Sequence, residues 1–148
     1  MDCLFCKIIA GEIPSKLVHA DEHAVAFLDI APWQVGHTLV VPRRHSTDVL
    51  EDDAVLAEIA PTVARVGTML KQRLGATAVN VLANAGADAG QEVFHTHIHV
   101  IPRYADNPGI PAMRGEVTES VDATHRRIVD GADSGELAVS YTHLTLPT

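Results

Sequence analysis

The stretch Phe94–Pro102 reads FHTHIHVIP and sets histidine at every second position: His95, His97 and His99. In an extended chain alternate side chains share a face. The spacing therefore predicts a strand over Phe94–Pro102 with three imidazoles on one side, neighbouring rings ~7 Å apart. Thr96, Ile98 and Val100 fall on the other side, two of them suited to apolar packing. Rings at that separation cannot bond one another directly, but they can line one pocket. A solvated or metal-decorated strand is the plain alternative. Three rings on one face, directly after a glycine-rich loop, favour a functional pocket. The run is interior and interrupted, so it is no affinity tag.

The rest of the chain supplies a sheet to receive such a strand. Lys16–His19 and Ala24–Asp29 read as strands around the turn pair Asp21-Glu22, and Thr38–Pro42 and Ala78–Leu82 are short β-branched runs. Val55, Leu56, Ile59, Val63, Val66, Leu70 and Leu74 recur at helical spacing. They predict one long helix over 53–74, capped by Asp52 or Asp53, ended at Gly75, and kinked or briefly broken at Pro61. Residues 3–10 predict a short helix or tight turn closing at Gly11, and 117–130 a last short helix. Residues 84–91 (NAGADAGQ) and 104–116 are Gly- or Pro-rich loops. Strands outnumber helices and connect by short turns. The expected class is α+β, with a mainly antiparallel sheet, one long helix and short flanking helices.

Of the 148 residues 47% are hydrophobic, enough for one packed domain, while aromatics at 4% leave the core to Val, Leu, Ile and Ala. The formal net charge of −8 without a basic stripe argues against nucleic-acid binding. A local pocket can still receive an anionic small molecule. The start, MDCLFCKII, lacks the charged and long apolar regions of a signal peptide, and no run approaches the roughly 20 apolar residues of a membrane span. No membrane partner and a cytoplasmic location are expected. The domain is assigned to residues 1–135, and 136–148 to a tail. Within it Ser140–Thr148 (SYTHLTLPT) continues no pattern and reads as a vector scar or sequence-end error.

Two further motifs carry chemistry. In NAGADAGQ, Gly86 and Gly90 let backbone approach a ligand, and exposed N–H groups can bind an anion; a long hairpin connection is the alternative. Cys3-x-x-Cys6 is half of a zinc site by spacing, or two reduced cysteines in a short helix.

Taken together, the segments CLFCKIIAGEIP, AVAFLDIAP, GHTLVVPRRH, VNVLANAGADAGQ and GQEVFHTHIHVIPR resemble the histidine-triad (HIT) family, in its Hint-like branch and bacterial zinc-binding type. The resemblance spans about residues 3–104 and fades after Tyr104. It implies a nucleotide-binding fold of paired subunits that hydrolyses at the α-phosphate. By motif position His97 is the nucleophile, giving a covalent nucleotidyl-histidine. His99 hydrogen-bonds the phosphate, with His95 and His37 completing the catalytic set. Asp29 is the ribose ligand. Phe5, Ile8, Phe27 and Ile30 match or neighbour positions enclosing the base, with plain core as their alternative. Asn84, Gly90, Gln91, Glu92 and Val93 attend the phosphate or leaving group. Thr96 departs from an apolar position, with little expected effect. Glu92 departs from a Ser or Thr; an ionised carboxylate cannot donate, so it should disfavour an acidic leaving group and favour an amine.

The resemblance also implies a structural zinc ion on Cys3, Cys6, His45 and His95, no organic cofactor, and a homodimer whose sheet continues across the interface. The expected partner is a purine nucleotide, a nucleoside 5′-phosphoramidate first and a dinucleoside polyphosphate second. Two rival readings stand beside these: a metal-dependent hydrolase with His95, His97 and His99 as ligands, and a non-catalytic nucleotide sensor or interaction module.

Overall fold

The computed structural model describes residues 2–107, 109 and 115–131. The tail assigned to 136–148 lies outside the described residues. The chain forms two compact units, dividing after Pro111. In the first, helix α1 (Leu4–Ile9) precedes strands β1 (Leu17–Ala20), β2 (Ala24–Leu28) and β3 (Thr38–Pro42). Helix α2 (Asp53–Leu74), β4 (Ala78–Leu82) and β5 (Ile98–Arg103) follow. The strands form one antiparallel sheet in the order β1-β2-β3-β5-β4. The second unit carries α3 (Val121–Asp130), capped by Ser120, with no buried residue.

The period of two divides this sheet cleanly. Ala24, Ala26, Val40, Ile98 and Val100 face one way and pack with Ile59, Val66 and Leu70 of α2. Val25, Phe27, Leu39 and Val41 face the other way and pack with Cys3 and Phe5 at α1. Each fully buried side chain of this kind contributes roughly 1.5–3 kcal/mol. On the α1 face one cross-strand row runs Phe27, Leu39, His99, Leu82. That row is the floor on which the site stands.

Two expectations need correction. Helix α2 runs unbroken through Pro61, which sits on the exposed side, while Val55, Ile59, Thr62, Val66 and Leu70 are buried on both sides of it. Burial before and after the proline outweighs its lost hydrogen bond. Of the expected stripe, Leu56 and Leu74 stay exposed. The cap is Asp52, accepting from Ala54 N–H, and Gly75 closes the helix in the left-handed region.

The second correction concerns the histidine run. The strand begins at Ile98, and residues 94–97 lie outside the ladder. The Thr96 N–H donates to the Ser46 carbonyl at 2.8 Å, and the two hydroxyls bond each other in the interior. Thr96 thus makes buried polar contacts instead of a neutral substitution in a strand. The ladder between β3 and β5 ends at Val40 and Ile98, just before this bond.

The β1–β2 turn is tied to α2 by Asp21. Its carboxylate accepts from Thr62 Oγ1 (2.6 Å) and from the His23 and Ala24 N–H groups (2.9 Å each), and it meets His19 Nε2 at 3.0 Å. Burial pushes its pKa up, but the Thr62 bond and the others overcome that and hold it well below the usual carboxylate range. A depressed carboxylate stabilises the fold above its unfolded pKa of about 3.9 and loses that contribution as pH falls further. Asp21→Ala should cost about 2–3 kcal/mol. Thermal melts at pH 7 check the loss, and the gap between variant and parent should narrow below pH 4.

Candidate active site and metal centre

Along residues 94–99 three imidazoles leave the chain in different settings. His99 sits on β5, 93% buried, above the sheet row just described, with a relative exposure of 7%. The backbone N–H of Trp33 donates to His37 Nδ1 at 3.0 Å, so that nitrogen carries a lone pair. The His37 proton must then sit on Nε2, which donates to His99 Nδ1 at 2.9 Å. By the same logic the His99 proton sits on Nε2. That atom is buried and has no hydrogen-bond partner among the described residues. Burial pushes His37 down and His99 down to about 4, with the neighbouring His97 adding to both shifts and Asp29 opposing them. The donor-ended relay therefore persists at neutral pH.

His97 stands beside it, ring centroids 5.0 Å apart, and packs edge-on against Phe5 at 5.1 Å. Its Nδ1 donates to the His95 carbonyl at 2.7 Å, so Nε2 is the nitrogen left on offer. His97 and His99 line a cavity of about 470 Å³ with Asp29, Asn84, Gly90, Glu92 and Val93. Phe5, Ile8, Phe27 and Ile30 form its apolar side. Phe5 and Phe27 are core residues as well as lining residues. Gly90 has φ +99, and a Cβ there would stand 3.5 Å from Asn84 Nδ2. Asp29 Oδ1 accepts from Ala31 N–H, and Oδ2 lies 3.7 Å from His37 Nε2.

Other expected residues stand elsewhere. Gln91 is buried and does not line the cavity; its amide bonds Gly86 N–H and the Thr47 and Val93 carbonyls, shaping the loop. His37 lies behind His99, one bond from the cavity. The His95 ring meets Phe5 at 6.0 Å, as His97 does at 5.1 Å, but points to Cys3, Cys6 and His45 and does not line the cavity. Trp33 is one of several lining residues that sequence reasoning missed, Leu4, Ile13 and Leu39 among the others; it stacks on His99 at 5.7 Å. Its only sequence signal is a lone tryptophan four residues before His37.

The His95 ring turns toward Cys3, Cys6 and His45. Its Nε2 donates to the Pro42 carbonyl at 2.9 Å, which leaves the Nδ1 lone pair facing His45 Nδ1 (3.0 Å), Cys3 Sγ (3.4 Å) and Cys6 Sγ (3.5 Å). All four donor atoms lie within 4.8 Å of one another. A tetrahedral zinc ion needs ligand atoms about 3.3–3.8 Å apart. Two sulfurs and two nitrogens in this space, with the outer nitrogen of His95 anchored by a carbonyl, fit that ion. Burial pushes the Cys6 thiol up and lowers His95. A cation there would reverse the thiol shift by stabilising the thiolate. The three triad rings do not converge on one point, which counts against a catalytic ion held by all of them.

The fold and the two sites define an α+β protein with a buried pair of oriented imidazoles at an apolar cavity. The HIT domain family model matches residues 10–106, and the chain belongs to that family. It is 43% identical to the protein hit of Bacillus subtilis over 113 residues, 76% of this chain and 78% of that one. It is 40% identical over 103 residues to adenylylsulfatase HINT3 of Arabidopsis thaliana, covering 69% of this chain and 52% of that one. Among solved structures it is similar to a histidine triad nucleotide-binding protein from Candida albicans (TM-score 0.76, 32% identity, 94% and 99% covered). It is also similar to a Zn-bound histidine triad family protein from Mycobacterium smegmatis (TM-score 0.71, 31% identity, 92% and 99% covered). Among the described residues no helix is long and apolar enough to cross a membrane.

Proposed function

We propose that this protein binds a purine nucleoside phosphate and hydrolyses the bond to its α-phosphorus, nucleoside 5′-phosphoramidates being the preferred class. The observation that carries this reading is the buried, unpartnered Nε2–H of His99 beside the free Nε2 of His97. A buried donor without an acceptor is costly in the absence of a ligand. A phosphoryl oxygen at the cavity would satisfy it, and more strongly as negative charge builds there.

In the first step the His97 Nε2 lone pair attacks phosphorus, the P–N bond to the leaving amine breaks, and the amine takes up a proton from solvent as it departs. Water then attacks the same phosphorus and releases a proton to solvent, the P–N bond to His97 breaks, and the nucleoside monophosphate leaves. The His95 carbonyl holds the ring in place and stabilises the positive charge it acquires. Asp29 keeps Oδ2 available for ribose hydroxyls, and the Phe5–Ile8–Phe27 side receives the base. A bound zinc ion would add structural rigidity only. Cys3, Cys6, His45 and His95 would hold it, keeping the His95 carbonyl where His97 needs it.

The Candida and Arabidopsis relatives, named for nucleotide binding and for adenylylsulfate, support the nucleotide class. The lining favours the amine leaving group: among its residues stand Asp29 and Glu92 and no Lys or Arg. A polyphosphate leaving group would meet repulsion there. The outer strand β4, with Ala78, Asn80 and Val81 exposed, supports a homodimer with a continued sheet.

Mixing the protein with an adenosine phosphoramidate and quenching early should give a covalent adduct mapping to the peptide that holds His97. An adduct elsewhere would move the nucleophile away from His97; none with any phosphoramidate, dinucleoside polyphosphate or adenylylsulfate would favour a non-catalytic sensor. Glu92→Ser should raise rates for anionic leaving groups relative to amines by about 3- to 10-fold, since one charge at several ångströms is worth about 1 kcal/mol. An unchanged ratio would remove the role given to Glu92.

A further inference from the structure

Trp33 is the single tryptophan of the chain. Its indole lies nearly parallel to the His99 imidazole, at 13° and 5.7 Å between centroids, in the offset-stacked range. It also lines the cavity, with 45% of its surface exposed. Among the described residues the His99 ring is held by hydrogen bonding at one atom, Nδ1. One such bond leaves a flat ring free to tip about the bond axis. A parallel surface against one face removes that freedom. The other two rings in contact, His97 and His37, meet it at 61° and 46° and offer no flat face.

The segment that carries the indole is itself held. The buried Gln34 amide donates to the Asn107 carbonyl at 2.8 Å and accepts from Val35 N–H, and Tyr104 donates to the Val35 carbonyl at 2.9 Å. We propose that Trp33 is a positioning residue for His99, its indole fixing the imidazole in the plane from which Nε2–H meets the substrate's phosphate. The proposal rests on the phosphate reading above.

Trp33→Ala and Trp33→Phe both keep the backbone N–H that starts the relay, so they change the stack and leave the donor order alone. With an adenosine phosphoramidate as probe, Trp33→Ala should lower kcat about ten-fold with KM within about two-fold, because an aromatic pair contributes about one order of magnitude and acts on the transition state. Trp33→Phe should stay within about three-fold of the parent. Emission supplies a second readout. Adenosine monophosphate should change the fluorescence of the parent, and His99→Ala should shift the emission of the free protein and remove that response. Should Trp33→Ala fail to fold, Trp33→Leu, apolar but not flat, takes its place.

Parent-like kcat in Trp33→Ala overturns the proposal, as does Trp33→Phe as impaired as Trp33→Ala, or a rise confined to KM. So does emission indifferent to His99→Ala. A parent that forms the His97 adduct while Trp33→Ala turns over normally sinks the proposal alone. A parent that forms no adduct sinks the phosphate reading, and this proposal with it.

Discussion

His97→Gly is expected to lose turnover by about 10⁴-fold or more while binding nucleoside monophosphate within a few-fold of the parent. The loss is large because no other group on the cavity wall presents a free nitrogen lone pair. His99 Nδ1 receives the His37 proton, and His37 Nδ1 receives the Trp33 amide. Binding should survive because the proposed ribose and base contacts come from Asp29 and from the Phe5–Ile8–Phe27 side, which His97 does not hold in place by hydrogen bonds. His99→Ala should fall less, about 10²- to 10³-fold, the usual effect of removing one oriented donor. Steady-state rates and titration calorimetry on the same preparations check both. A glycine variant that still turns over would end the nucleophile assignment.

The second large effect concerns the metal. Protein purified without added metal should carry one zinc per chain, and Cys3→Ser with Cys6→Ser should abolish it. Structural zinc binds with about 10–16 kcal/mol in small finger peptides. Here most of the fold has its own core, so a smaller share, about 3 kcal/mol or more, is expected to appear as stability. That corresponds to a fall in Tm of roughly 10 °C. Element analysis and scanning calorimetry read the two results. Substoichiometric zinc, with melting unchanged by chelation, would remove the ion from the account. The effect should reach activity as well, since His95 does two things at once. Its ring faces the sulfurs and its carbonyl holds Nδ1 of His97.

Much of this was legible in the residues. The period-two runs at Ala24–Leu28 and Thr38–Pro42 place alternate side chains on two faces, and both faces are buried as apolar residues require. Asp52 and Gly75 bracket α2 by chemistry that any reader of caps would use. The Cys3-x-x-Cys6 pair, His45 and His95 are far apart in sequence and are joined by resemblance; the fold brings them together.

Periodicity alone does not locate the start of β5. Three alternating histidines imply a strand, but a strand needs a partner along its whole length, and β3 turns away toward Ser46 after pairing Val40 with Ile98. The decisive Thr96–Ser46 bond spans fifty residues, so no local pattern contains it. Trp33 was invisible for a similar reason: its role is a contact with a residue sixty-six positions away. Gln91 sits in a ligand-like stretch, yet its side chain closes its own loop.

The order of protons through His37 and His99 begins at a main-chain amide. Side-chain substitution at position 33 can reshape the wall of the cavity, but every residue except proline still supplies that N–H. The polarity of the two rings is thereby insulated from mutational drift at position 33. A lineage could diversify what the pocket accepts, altering its aromatic and charged surroundings, without reversing the direction in which the inner imidazole points its proton.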